Sequence, residues 1–175
     1  MGLHLILDIG CGSGYYQKQS KFRGQINADI LKPRKKIPNF ILCDAHHLPF
    51  KSRAFNKVFF LDVIEHVESP PKCLREIKRV TEGVIIIGTP NALFFPKIVR
   101  TVLKGSYVPY STHIATYGVP ELTNLLKYVG FKHFEVKPVT YQDMTRNKLL
   151  KSILRSLPAP LKNRQILATI YENAR

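Results

Sequence analysis

Residues 5–14 read Leu-Ile-Leu-Asp-Ile-Gly-Cys-Gly-Ser-Gly, an apolar run that ends in an acid and passes into a glycine-rich turn. Few local patterns narrow the choice of fold as much. Apolar character over 3–7 suits a strand covered on both faces, as in a parallel sheet. Gly10, Gly12 and Gly14 permit a tight turn and let backbone approach a ligand where a Cβ would collide. Asp8 stands at the carboxyl end of the strand, where open α/β sheets bind their ligands. The third glycine comes one residue early for the dinucleotide pattern Gly-x-Gly-x-x-Gly, and no Gly-Lys-Ser/Thr follows to make a phosphate loop. An ordinary strand-to-helix turn and a ligand cradle both remain open from these residues alone.

The unit of strand then turn recurs along the chain. Tyr15 to Phe22 is expected to form a short helix, and 25–30 a second strand that carries Asp29 and Ile30 at its end. An acid about 20 residues beyond a glycine turn can bond ribose hydroxyls, and Asp29 stands near that distance. A third strand over 40–44 leads to Asp44-Ala45. His46 and His47 are neighbours on an extended chain and point opposite ways, so they read as loop residues. A fourth strand over 55–61 runs into Asp62-Val63-Ile64-Glu65-His66-Val67. Ser69, Pro70 and Pro71 then start a helix through Leu74, Ile77 and Val80. A fifth strand over 84–88 precedes Thr89-Pro90-Asn91, and 92–117 reads as irregular. Pro120 to Val129 forms a helix closed by Gly130, followed by a sixth strand over 131–139. Asn147 to Leu157 is a basic amphipathic helix ended by Pro158 and Pro160, and 165–171 is the last strand. The expected fold is α/β and doubly wound, a mostly parallel seven-stranded sheet with helices on both faces and a closing hairpin. One domain is expected over 1–175, with 92–117 and 140–163 as substrate-side insertions.

Charge points to partners. The formal net charge is +15 and the pI near 9.9, which favours polyanions such as RNA or an anionic surface. Lys32, Arg34, Lys35 and Lys36 form one basic group, Lys72, Arg75, Lys78 and Arg79 a second, and Arg146, Lys148, Lys151 and Arg155 a third. A solvated basic surface explains them equally well. No apolar run reaches membrane-spanning length, and the start carries no secretory pattern. Cys11, Cys43 and Cys73 are odd in number and widely spaced, which reads as small buried residues in a reducing, cytoplasmic setting.

Taken together, the glycine turn, Asp29, Asp44-Ala45, Asp-Val-Ile-Glu-His-Val, Gly-Thr-Pro-Asn at 88–91, and Glu121-Leu122 leading to Gly130-Phe131 resemble a known family. It is that of the Rossmann-like, class I S-adenosylmethionine (SAM) dependent methyltransferases, with the ubiquinone-biosynthesis O-methyltransferases as the similar branch. The resemblance covers roughly residues 3–137 and implies SAM as the cofactor. It implies that Asp8, Gly10, Cys11, Gly12 and Gly14 lie along the methionine part, and that Asp29 and Ile30 hold the ribose. Asp44 and Ala45 would meet the adenine, and Leu61 and Asp62 the sulfonium end. The sequence departs from relatives in three ways. No helix precedes strand one to cover the cofactor, which a protein partner, a second copy, a lid or an upstream segment would replace. Glu82-Gly83 stands where Pro-Gly-Gly is usual, and the Asn-Pro-Pro-Tyr of base-amino methylation is absent after strand four.

Methyl transfer from a sulfonium is an in-line displacement, and holding the reactants in line supplies much of the catalysis. A base is needed only where the nucleophile must lose a proton. Asp62, His66 and His113 are the expected catalytic residues, with Tyr117 beside them. Asp62, Glu65 and His66 share one face if a helix starts there, and His113 can fold back onto them. A similar acid-x-x-Glu-His set with a distant His binds a divalent metal in enzymes that methylate the 3′-terminal ribose of small RNAs. A metal at Asp62, Glu65, His66 and His113 competes with a plain family turn in which Glu65 and His66 bond backbone or substrate; the turn without metal is the reading taken. The expected function is methyl transfer to O or N of a small-molecule or lipid- or sugar-linked acceptor. The alternatives are an RNA methyltransferase, including metal-assisted ribose 2′-O transfer, and a non-catalytic SAM-fold subunit.

Overall fold

The apolar runs become strands of one seven-stranded sheet in a computed structural model that describes residues 4–13, 25–104, 112–139, 152 and 154–172. In chain order the elements are β1 (Ile6–Ile9), β2 (Ile26–Asp29), β3 (Phe40–Leu42), β4 (Phe55–Leu61), α1 (Pro70–Val80), β5 (Thr81–Pro90), α2 (Phe95–Lys104), α3 (Val119–Val129), β6 (Phe134–Val139), α4 (Ala159–Lys162) and β7 (Gln165–Tyr171). The spatial order is β3-β2-β1-β4-β5-β7-β6. The first five strands run parallel, and β7 enters antiparallel between β5 and β6. The strand order therefore reverses between β1 and β4, which is where open α/β sheets hold ligands at their carboxyl ends.

Alternation along β4 builds two apolar layers. Val58 and Phe60 join Leu7, Ile9, Ile85 and Ile87 under Leu74, Ile77 and Val80 of α1 and Leu122 and Leu126 of α3. Phe59 and Leu61 face the other way and pack with Ile6, Ile86 and Leu167. The expected elements recur with small shifts at their ends. Gly130 closes α3 in the left-handed region, φ 91°, where its N–H donates to Lys127 O. Thr81–Pro90 is longer than the expected fifth strand because Phe55 of β4 pairs with Thr81 at one end and β7 pairs through Pro90 at the other.

Two expectations are corrected. The segment after β4 does not begin a helix: residues 64–66 form a turn, with His66 N–H donating to Val63 O (2.9 Å), and α1 starts only at Pro70. Asp62 sits at φ 52°, a conformation no helix continues through. Residues 92–117 are not all irregular, since α2 occupies 95–104. Its Pro96 lies in the first turn, where a missing N–H costs nothing. The expected helix over 15–22 and most of that over 147–157 fall outside the described residues.

One side chain ties the loop after β3 to the body of the fold. Arg79 of α1 donates to Leu48 O (2.9 Å) and Phe50 O (2.8 Å) and forks onto Glu76, whose Oε2 accepts Leu48 N–H (2.9 Å). The Arg79 hydrogen bond holds the Glu76 carboxyl below its ordinary 4.5. A depressed acid stabilises the fold above its unfolded pKa and loses that contribution as the pH falls. Arg79→Ala is expected to cost about 1–2 kcal/mol at neutral pH, discounted for solvent screening of a partly exposed group. Urea unfolding across pH 3–7 should show the gap between variant and parent narrowing below the ordinary Glu76 value of 4.5.

Candidate functional site

The glycine turn is held from below by the neighbouring strand. Gly10 N–H and Cys11 N–H both donate to Ala28 O, at 2.8 and 3.1 Å. Gly10 takes φ 73°, and a Cβ there would collide with Val63 Cγ2. The turn after β1 and the turn after β4 thus pack backbone against side chain, and only glycine fits. Asp29 closes the arrangement: its Oδ2 accepts Gly12 N–H (2.8 Å) and its Oδ1 accepts Leu31 N–H (2.9 Å). A carboxylate has about four lone-pair sites, so both oxygens can still accept from ligand hydroxyls. Ile30, immediately beyond, is 65% exposed and offers an apolar surface beside that acid.

The remaining expected cofactor residues line the same edge in different ways. Asp8 is buried, and Cys11 is buried with burial pushing its thiol up to about 12, so it packs and does not react. Leu61 turns its side chain into the second apolar layer. Asp44 Oδ1 accepts from His46 N–H (2.9 Å) and His46 Nδ1 (2.7 Å), and the backbone hydrogen bond leads in holding its carboxyl below the usual range. His46 Nε2 in turn accepts Ser69 N–H (3.2 Å) at the start of α1. His46 is therefore a strut between two loops, and His47 reaches Lys72 Nζ (2.8 Å). Gly14 lies outside the described residues.

A second constellation stands beyond β4 and β5. Glu65 is 1% exposed, and its Oε2 accepts from Thr89 Oγ1 (3.1 Å) at the end of β5. Its backbone O accepts Ile114 N–H (2.9 Å) and Ala115 N–H (3.2 Å), which draws the segment before α3 across the turn. His113 arrives with that segment and packs edge-to-face on His66, ring centroids 4.6 Å apart at 86°. One ligand atom from each of Glu65, His66 and His113 lies within 4.8 Å of the others. Asp62 is not in this group; its left-handed backbone removes the helical face on which the spacing argument placed it with Glu65 and His66. Burial pushes the Glu65 carboxyl up to about 7, and burial followed by His66 holds the His113 imidazole below its ordinary 6.5. Tyr117 is buried and, through burial and then Glu65, its phenol is pushed up to about 12. That keeps the phenol protonated near neutrality. Sequence reasoning passed over Thr89 and Thr112, whose roles depend on chain segments remote from Glu65 and His66.

A parallel sheet reversing at β1/β4, a glycine turn clamped by an acid on β2, and a polar cluster at the ends of β4 and β5 define the fold: it is the fold of the class I, SAM-dependent methyltransferases. The family model described as "Methyltransferase domain" matches residues 7–87. The chain is 28% identical over 148 residues to an uncharacterised protein of Methanocaldococcus jannaschii, covering 80% of this chain and 70% of that one. It is 27% identical over 150 residues to a tRNA U34 carboxymethyltransferase of Campylobacter jejuni, covering 75% and 50%. It is 30% identical over 95 residues to a malonyl-[acyl-carrier protein] O-methyltransferase of Serratia marcescens, covering 48% and 37%. The chain thus spans half or less of these last two relatives. Among solved structures, a SAM-dependent methyltransferase of Thermotoga maritima superposes with TM-score 0.74 at 18% identity, covering 99% of this chain and 84% of that one. The plantazolicin methyltransferase BpumL, solved with S-adenosylhomocysteine (SAH), gives 0.60 at 20% identity over 97% and 76%. SAM is the cofactor of this fold class. The open glycine turn and the Asp29 carboxylate fit it: among the described residues, a Cβ on Gly12 would meet only Gly10 O, at 3.9 Å.

The Gly10 contact is testable. Gly10→Ala is expected to destabilise the protein by about 1–3 kcal/mol through its left-handed backbone and the clash with Val63. Adding Val63→Ala should recover the clash and leave the backbone strain, so chemical denaturation places the double variant between Gly10→Ala and the parent.

Proposed function

We propose that this chain transfers the methyl group of SAM to an oxygen or nitrogen of a small-molecule or lipid- or sugar-linked acceptor. The observation that carries this reading is the Asp29–Gly12 clamp at the switch point, which sets an acid and a glycine turn beside the exposed Ile30. Asp8, Gly10, Cys11, Gly12 and Gly14 would follow the methionine part, with Asp29 and Ile30 at the ribose. Asp44 and Ala45 would lie at the adenine, and Leu61 and Asp62 near the reacting carbon. When bound, SAM supplies an activated methyl on a sulfonium. The protein's part is to seat the acceptor in line with it and to exclude water. Asp62, His66 and His113 are the groups we assign to the acceptor side, where an imidazole can take a proton from a hydroxyl or ammonium. The stretches 92–117 and 140–163 would form the acceptor mouth; α2 and the His113 segment belong to the first.

An RNA acceptor is the second reading. The net charge of +15 favours it, as does a relative whose name records action on tRNA. It predicts RNA affinity that falls linearly in log–log form with salt, with a slope near −0.7 per phosphate contacted on a single strand.

Calorimetric titration with SAH tests the cofactor reading first. Saturable binding is expected, and Asp29→Ala should weaken it by about tenfold to a hundredfold, the scale of lost charge-assisted hydrogen bonds. Absence of binding to the parent would overturn the reading. Filter binding with total RNA across a salt series then separates the two acceptor classes: salt-independent or absent binding removes the RNA reading.

A further inference from the structure

We infer that His46 is a positioning residue for cofactor recognition: its imidazole ties the Asp44 carboxylate to the start of α1 and holds one oxygen of that carboxylate ready for the exocyclic amino group of adenine. This role rests on the cofactor reading above, in which Asp44 lies at the adenine.

Three groups form the relay. α1 packs Cys73, Leu74, Ile77 and Val80 into the core, each 0% exposed, so its first residues are fixed points. Pro70 and Pro71 bring no N–H to the first turn, and Ser69 O accepts Lys72 N–H (3.0 Å) and Cys73 N–H (3.1 Å), which anchors Ser69 on the helix. Ser69 N–H can only donate, and it meets His46 Nε2 at 3.2 Å. Nε2 therefore accepts, and the ring proton sits on Nδ1. Nδ1–H in turn donates to Asp44 Oδ1 at 2.7 Å, the length of a hydrogen bond with an ionised partner. Both nitrogens of the imidazole are used, and only this tautomer satisfies both contacts.

The consequence falls on Asp44. His46 N–H also donates to Oδ1 (2.9 Å), so two bonds from residue 46 converge on one oxygen. Among the described residues this leaves Oδ2 to accept from a ligand N–H. The Asp44 side chain is 43% exposed and that of His46 16%, so the acid is open to a ligand while the ring that holds it is sheltered. A carboxylate held only by its own turn keeps freedom about its side-chain torsions. The ring bond removes that freedom before the ligand arrives, and a preorganised acceptor binds at lower entropic cost. His47, one residue on, makes a different contact, with Lys72 Nζ (2.8 Å).

A readout specific to the adenine amino group separates positioning from stability. Calorimetry on the full chain compares SAH with its purine analogue, in which hydrogen replaces the 6-amino group. The parent is expected to prefer SAH by about tenfold or more, the scale of a hydrogen bond to a charged acceptor. His46→Ala should lower that preference severalfold, whereas a purely structural role would weaken both ligands alike and leave the ratio as it was. His46→Asn sets an amide N–H near the place of Nδ1 and should keep most of the preference. His46→Gln reaches toward Ser69 instead and should not. In the Asp44→Ala background, His46→Ala should cost SAH no further affinity. His47→Asn should leave the ratio unchanged. Circular dichroism checks that each variant folds, and the Asn and Gln pair decides the matter should the alanine variant fail to. A ratio unchanged by His46→Ala, or lowered alike by His46→Asn and His46→Gln, overturns the proposal, as does a parent that binds both ligands equally. A parent that binds neither removes the cofactor reading and this role with it, so the two failures register separately.

Discussion

Val63 rests against Gly10 so closely that no side chain fits at position 10. This one contact joins the turn after β1 to the turn after β4 across the switch point of the sheet. The first turn carries the backbone that Asp29 clamps, and the second carries Glu65 and His66. Neither turn has regular structure of its own, so each depends on the other for its position. The parallel ladder between β1 and β4, with Ile9 beside Phe60, brings both turns to the same edge. The glycine therefore serves packing as much as ligand approach.

Around this contact the molecule divides its polar groups by depth. Asp29 and Asp44 are partly open, and both carboxylates are oriented by backbone N–H groups; at Asp44 that hydrogen bond also holds the carboxyl below the usual range. Glu65 and Tyr117 are buried, and burial dominates both, raising each group's pKa. One edge of the sheet thus holds partly open carboxylates at its β2–β3 side and a desolvated polar cluster beyond β4–β5.

Much of the strand framework was legible because its signals are local. The apolar runs of β4 and β7 were read to the residue, and the left-handed closure of α3 followed from Gly130. The readings that failed each assumed a local rule where a remote contact governs. Spacing put Asp62, Glu65 and His66 on one helical face, but Asp62 N–H continues the ladder to Gly88 O and the chain then turns with φ 52°. The helix over Phe95–Lys104 was hidden by Pro96, which a first turn tolerates. His46 and His47 read as loop residues, and the structure gives them partners on or beside α1 that spacing cannot reveal.

By itself the sequence determined the strands, the glycine turn, the order of acids at strand ends and the strong positive charge. These follow from periodicity, backbone freedom and composition, each readable within a few residues. Only the tertiary structure decided which acids face the edge, that Glu65 is buried against Thr89, and that His113 meets His66 across 47 positions. The reason is physical. Burial, desolvation and hydrogen bonds between distant loops exist only once the sheet has brought the chain ends of β4 and β5 together, and no local pattern encodes them.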